Sequence, residues 1–245
     1  MPSLQAYDKA LSYSYAPGAF PAAECFYRRP EQCRRLLIHS KADGSEGVLE
    51  LAEKCGAVGI RVEVADKALA RVSGKGNCFA AMVFEKWQSI LCADAPHIVL
   101  HEVSDGGNMG TILRTALGFG YANIAIVRPA ADVFDPHVIR ASMGAAFSQS
   151  IAVFDSYAQY REEYHSHEVY PFMLDGSVPL QSAAPGSGRR HALIFGNEGR
   201  GLPGFFAGEG TPVRIPHAGS IDSLNVAVAA AIGMYAFSAF SAEGR

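Results

Sequence analysis

Three glycine-rich stretches carry the residues of this chain best suited to chemistry. Residues 104–114 read SDGGNMGTILR, and Gly106, Gly107 and Gly110 allow tight turns and close approach of a ligand. Asn108 offers donors and an acceptor at that turn, and Arg114 places a cation about a helical turn and a half further on. Taken alone, the stretch also reads as a turn, an N-cap and a surface arginine. Residues 192–203 read ALIFGNEGRGLP: an apolar strand runs into Gly196 and presents Asn197 and Glu198. A carboxylate there can serve a site or cap a helix. Residues 213–231 read VRIPHAGSIDSLNVAVAAA, with Ser223, Leu224 and Asn225 opening an Ala-rich helix that Ser223 is placed to cap.

The second stretch also holds Gly199, Gly201 and Gly204 in dinucleotide-fingerprint spacing. Pro203 sits inside that pattern, and the residues that follow leave no room for a crossover helix. A nicotinamide-dependent oxidoreductase therefore rests on spacing alone.

The elements that must position these stretches alternate between strand and helix. In the first part, residues 35–40 and 60–64 read as strands and 47–55 as a helix closed by Gly56. Residues 66–72 read as a short helix and 80–85 as a further strand. Residues 91–96 lack periodicity and serve as the expected linker, giving domains over 1–90 and 91–245. In the second part, 97–103, 124–127, 151–154, 169–174, 191–195 and 213–215 read as strands. Residues 111–118, 136–147, 157–165 and 224–240 read as helices, 104–107 as a polar turn and 182–190 as the most loop-like segment. This alternation predicts an α/β fold with a mostly parallel sheet, covered on both faces, and ligands at the C-terminal strand edges. Ala227, Ala230, Ala231 and Gly233 permit close helix packing, in a core or a dimer.

Composition narrows the class. The chain is 245 residues long, 49% apolar and of net charge −3, which excludes a disordered chain and one that coats nucleic acid indiscriminately. Arg28, Arg29, Arg34 and Arg35 form a local basic cluster. The N-terminus lacks a signal pattern and no apolar run is long enough to span a bilayer, so a cytoplasmic protein without membrane contact is expected. Five cysteines without a C-x-x-C pair read as buried thiols, with no metal site expected, and His165 and His167 read as surface residues.

Taken in order, N-x-G-x-x-x-R, G-N-E-G and I-P-x-x-G-x-x-x-S-L-N-V resemble the motif set of the SpoU/TrmH family of SPOUT RNA methyltransferases. Residues 140–145 (RASMGA) are similar too, and the likeness covers nearly all of 97–240. It implies a C-terminal trefoil knot, a homodimer and S-adenosylmethionine as cofactor. The implied activity is methyl transfer to a ribose 2′-hydroxyl of structured RNA, transfer or ribosomal. A catalytically silent RNA-binding protein with the same shell is the competing class. The resemblance places Asn108, Arg114, Glu198, Ser223 and Asn225 on catalytic positions. It places Leu174, Gly196, Ile215 and Leu224 where the cofactor is held. Residues 15–87 resemble the small ribosomal-protein-like domain with which relatives grip RNA, residues 18–26 echoing its opening helix. Asn77, Cys78, Phe79 and Ala80 depart from that domain's Asn/His-Gln-Gly signature. Arg114 stays protonated at neutral pH, which suits it to bind phosphate and stabilise a developing alkoxide rather than to act as a base.

Overall fold

The computed structural model describes residues 4–73, 78–183 and 190–238. The chain divides into two compact units, residues 1–88 with 132–148 and residues 89–131 with 149–245. The segment 132–148, expected in the second domain, thus packs with the first.

The first unit runs β1 (Tyr13–Pro17), α1 (Ala19–Arg28), β2 (Cys33–Ile38), α2 (Glu46–Ala57), β3 (Arg61–Val64), α3 (Asp66–Ser73) and β4 (Ala80–Glu85). Its sheet has the order β1-β4-β2-β3, with β4 antiparallel to both neighbours and β2 parallel to β3. The strand β1 has no counterpart in the sequence expectations: YSYAP is short and ends in proline, and pairing with β4 extends it. Gly56 does not close α2, which runs on to Ala57. Cys25, Cys33, Cys55 and Cys78 are buried free thiols as expected, whereas Cys92, in the second unit, is exposed.

The basic cluster is largely neutralised by pairing. Arg34 donates to both carboxylate oxygens of Glu85 at 2.7 and 2.5 Å, Arg35 pairs with Glu63 at 3.2 Å, and the Arg29 guanidinium lies 4.9 Å from the Trp87 ring centroid. Of the loop that departs from the RNA-gripping signature, Asn77 lies outside the described residues and Phe79 is exposed.

From there the chain continues through β5 (His97–His101), α4 (Gly106–Gly118), β6 (Asn123–Val127), α5 (Pro136–Ala141), β7 (Ser150–Phe154), α6 (Tyr157–Glu163) and β8 (Glu168–Pro171). It closes with β9 (Val178–Pro179), α7 (Leu180–Ala183), β10 (His191–Phe195), β11 (Val213–Arg214) and α8 (Val226–Phe237). The single helix expected over 136–147 is broken in the first unit. Met143 and Gly144 take φ of 52° and 78°, and a 3₁₀ turn follows over Ala145–Ser148. A methyl group at Gly144 would meet Cβ of Glu24 at 2.8 Å, so close approach to α1 requires glycine there.

In the second unit β5, β6 and β10 are buried at every residue, the pattern of a parallel sheet covered on both faces. The strand order is β7-β6-β5-β10-β8, all parallel. Helix α8 lies so close to the sheet that a methyl group on Gly233 would meet the Phe172 ring at 2.6 Å. His167 is a correction: it is 3% exposed, its ring centroid 4.1 Å from that of His97. Of the segment expected to be a loop, Ser182 and Ala183 are helical, and 184–189 lie outside the described residues. Among the described residues no helix is long and apolar enough to cross a membrane, and no three His, Cys, Asp or Glu side chains form a metal-binding group.

Candidate active site

The strand order opens the site. From β5 the chain goes to β6 and β7 on one side, and β10 and β8 lie on the other. The loops leaving β5 and β10 therefore diverge at neighbouring strand ends, the place where parallel sheets form ligand crevices. The first loop, residues 102–105, leads into α4, and the second begins at Gly196.

Glu198 ties the two loops together. One carboxylate oxygen accepts from the Ser104 amide at 3.1 Å and its hydroxyl at 3.0 Å. The other accepts from the Asp105 amide at 2.9 Å and from Nδ2 of Asn108 at 3.2 Å. Partial burial opposes its charge, but these donors, led by the Asp105 amide, hold its carboxyl down at about 2. The group also sits at the positive N-terminal end of α4. It is a fixed anion with both oxygens engaged, and a poor proton acceptor at neutral pH.

Helix α4 begins at Gly106 rather than near residue 111, because Asp105 caps it, its carboxylate accepting from the Asn108 amide at 2.7 Å. The expected polar turn over 104–107 is thus a cap followed by the first helical turn, which aims Asn108 at Glu198. Helix α8 likewise begins at Val226, not at 224, and its cap is Asn225 rather than Ser223. Oδ1 of Asn225 accepts from the amides of Ala227 and Val228 at 2.8 and 3.3 Å, and Nδ2 donates to Oδ1 of Asn108 at 3.0 Å. An asparagine can cap and donate sideways at once, because its amide carries both an acceptor and donors.

Beside this network lies a cavity of about 420 Å³, within the range of small-molecule sites. Leu174, Gly196, Ile215 and Leu224 all line it, and so do Glu198 and Ser223. Its walls are mainly apolar, with main chain from the ends of β8, β10 and β11, a surface suited to a flat heteroaromatic ring with polar edges. A methyl group on Gly196 would meet the Gly201 carbonyl carbon at 2.5 Å, so only glycine lets the two backbone segments pass. Asn108 and Asn225 stand outside the lining and reach it through Glu198. Arg114 is the residue the structure does not bring in. It is exposed on α4, makes no hydrogen bond or ion pair with a described residue, and does not line the cavity.

Asn197 was outside the candidate set yet braces the site. Its Oδ1 accepts from the amides of Gly199 and Arg200 at 3.0 and 3.1 Å, while Nδ2 donates to the Glu102 carbonyl at 2.9 Å. An asparagine followed by two residues whose amides it can bind is a legible Asx-turn signal. The Glu102 contact had none. The fingerprint glycines lead into a 3₁₀ turn over Gly204–Gly208 instead of the helix that a dinucleotide site requires.

Residues 95–235 match the SpoU rRNA Methylase family. The chain is 33% identical over 142 residues to the 23S rRNA (guanosine(2553)-2'-O)-methyltransferase RlmP of Bacillus subtilis, covering 56% of each protein. It is 32% identical over 201 residues to the 23S rRNA (adenosine(1067)-2'-O)-methyltransferase of Streptomyces laurentii, covering 76% of this chain and 72% of that one. The crystal structure of an AdoMet-bound rRNA methyltransferase from Sinorhizobium meliloti superposes with a TM-score of 0.77 at 28% identity, over 92% of this chain and 87% of that chain. For several of the curated relatives it matches, the chain spans only 56% to 64% of their length.

Proposed function

This chain belongs to the SpoU rRNA methylase family, and on that premise we propose that it transfers a methyl group from S-adenosylmethionine to a ribose 2′-hydroxyl of ribosomal or transfer RNA. The observation that carries the reading is the junction of Glu198, Asn108 and Asn225 at the rim of the cavity that Gly196 and Leu224 line. When bound, S-adenosylmethionine supplies a sulfonium methyl that needs no further activation. Leu174, Ile215 and Leu224 would hold its apolar surface, and the main chain at Gly196 its polar edges.

The chain's own residues then divide the work. Glu198 keeps the loops after β5 and β10 at fixed separation. Asn108 and Asn225 carry that constraint to α8 and so to Ser223. Arg114, a permanent cation, binds substrate phosphate and stabilises charge developing on the 2′-oxygen, while the proton leaves to phosphate or water.

Arg114 lies outside the cavity, which supports a homodimer in which one copy supplies Arg114 to the other's site. Leu117, Val228 and Tyr235 are exposed on α4 and α8, an apolar surface suited to such contact. The trefoil knot is supported by close main-chain passages at Gly176 and Gly196, where a methyl group would meet Val213 and Gly201 backbone within 2.6 Å. Residues 1–90 would grip structured RNA, 91–245 would catalyse, and the protein would act in the cytoplasm. Ribose-methylation mapping of total RNA with and without the gene tests the proposal. A single lost site identifies the substrate, and an unchanged map overturns the enzyme reading in favour of a silent RNA binder.

A further inference from the structure

A second cleft, of about 830 Å³, opens at the C-terminal ends of β5, β6 and β7. It neighbours the cofactor cavity: Arg200 lines the cavity, Glu102 lines the cleft, and the two side chains pair at 2.8 Å as the wall between them. Glu102 holds this position with a φ of 59°, a backbone conformation that few non-glycine residues adopt.

The cleft is lined by an aromatic face, a buried imidazole and two exposed polar side chains, Glu162 and His165. Phe205 is 56% exposed and stacks on buried Phe206 at 4.4 Å and 26°, so a rigid aromatic face is turned to solvent. His101 lines the cleft, is 7% exposed, and its Nδ1 is buried without a hydrogen-bond partner. Glu162 is exposed and makes no ion pair or hydrogen bond with a described residue. Both lining arginines are engaged. Arg128 pairs with Asp155 at 2.7 Å, and Arg161 donates to the carbonyls of Tyr164, His165 and His167. Glu209 accepts from Tyr157 at 3.3 Å.

A free carboxylate and an aromatic platform, with both lining arginines already engaged, do not suit a phosphate. They suit a planar ring that carries N–H donors. We infer that this cleft receives the nucleobase of a nucleotide adjoining the methylated one, stacked on Phe205, with its exocyclic amine donating to Glu162. The inference rests on the RNA methyltransferase reading and adds base selection to it: guanine, adenine and cytosine carry such an amine and uracil does not. Burial lowers the pKa of His101 and favours its neutral ring, which packs edge-on against Phe206 at 5.1 Å and so backs the aromatic platform. The Arg200–Glu102 wall fixes how the strand must bend between the two sites, since the reacting ribose faces one side of it and the neighbouring base the other.

The experiment titrates GMP, CMP and UMP into the full chain with ¹³C-labelled phenylalanine and follows the Phe205 ring by NMR. GMP and CMP should shift that resonance, with UMP roughly tenfold weaker. Phe205→Ala should weaken GMP roughly tenfold, as loss of a stacking partner does. Glu162→Ala, a change at an exposed position that removes the acceptor, should erase the preference over UMP. Equal binding of UMP and GMP by the unaltered chain, or GMP binding undiminished in Phe205→Ala, overturns the inference. Calorimetry with S-adenosylmethionine on the same samples separates the two claims. Cofactor binding without a Phe205 response defeats only the base cleft, whereas absence of cofactor binding defeats the methyltransferase reading itself.

Discussion

Nδ2 of Asn225 donates to Oδ1 of Asn108 at 3.0 Å across 117 residues of sequence, and Nδ2 of Asn108 donates onward to Glu198. Each amide has one orientation that satisfies both its neighbours, so the ends of β10, α4 and α8 are locked to one another. Asn225→Asp keeps an acceptor for the α8 amides but turns an oxygen toward Asn108. Thermal stability should stay near that of the unaltered chain while methyl transfer falls at least tenfold. Asn225→Ala should in addition cost about 1 kcal/mol through loss of the cap. Parallel melting and methyl-transfer measurements distinguish the two variants.

Glu198 is predicted to set geometry and not to move protons. Its carboxyl is held down at about 2, against an ordinary value of 4.5. A lowered folded-state pKa contributes stability above about pH 4.5 that is lost as pH falls toward 2. Methyl transfer should therefore show no ionisation of Glu198 between pH 5 and 9. Glu198→Gln should lower the rate by the same factor throughout that range and flatten the acid limb of the stability curve. A shifted pH–rate profile in this variant would count against the assignment.

A second acid-sensitive element lies at His97. Burial lowers its pKa to about 4, and one ring nitrogen donates to the Cys92 carbonyl at 2.9 Å while the other accepts from Tyr160 at 3.0 Å. The neutral ring's contribution is complete above the unfolded value of 6.5 and disappears as pH falls from there toward 4. His167, stacked against it and also lowered, acts in the same direction. Denaturant midpoints should drop between pH 7 and 4.5, and His97→Gln should make that drop shallower.

Gly196→Ala should fail where Gly199→Ala succeeds. The added methyl at 196 meets Gly201 carbon at 2.5 Å, whereas at 199 its nearest neighbour is the Asn197 side-chain oxygen at 3.7 Å. The first should cost about 1–3 kcal/mol of stability, as overpacking does, and abolish S-adenosylmethionine binding. Melting curves and calorimetry on both variants provide the check.

Arg114→Ala should abolish methyl transfer and leave cofactor affinity unchanged, because the side chain lines no part of the cavity. If a second copy supplies the arginine, mixing Arg114→Ala with Ser223→Ala should restore activity through hybrid dimers that hold one complete site. Two inactive variants that stay inactive when mixed would place Arg114 in its own chain's site.

The sequence by itself determined the buried strands and marked the candidate residues, because both rest on local patterns. His191–Phe195 and Ala80–Glu85 are strands over the expected residues, since an apolar run between turn residues needs no distant partner to be read. The three motif stretches likewise fall where β5, β10 and β11 end. Tertiary structure decided which of those residues meet. Glu198 takes its hydrogen bonds from a loop 94 residues away, and the cap of α8 moved from Ser223 to Asn225 because Asn225 also meets Asn108. Residues 132–148 joined the first unit, and His167 left the surface to stack on His97. Such pairings are selected by strand order, which brings the ends of β5 and β10 side by side. Strand order depends on how whole sheet faces pack, and no local run of residues encodes it.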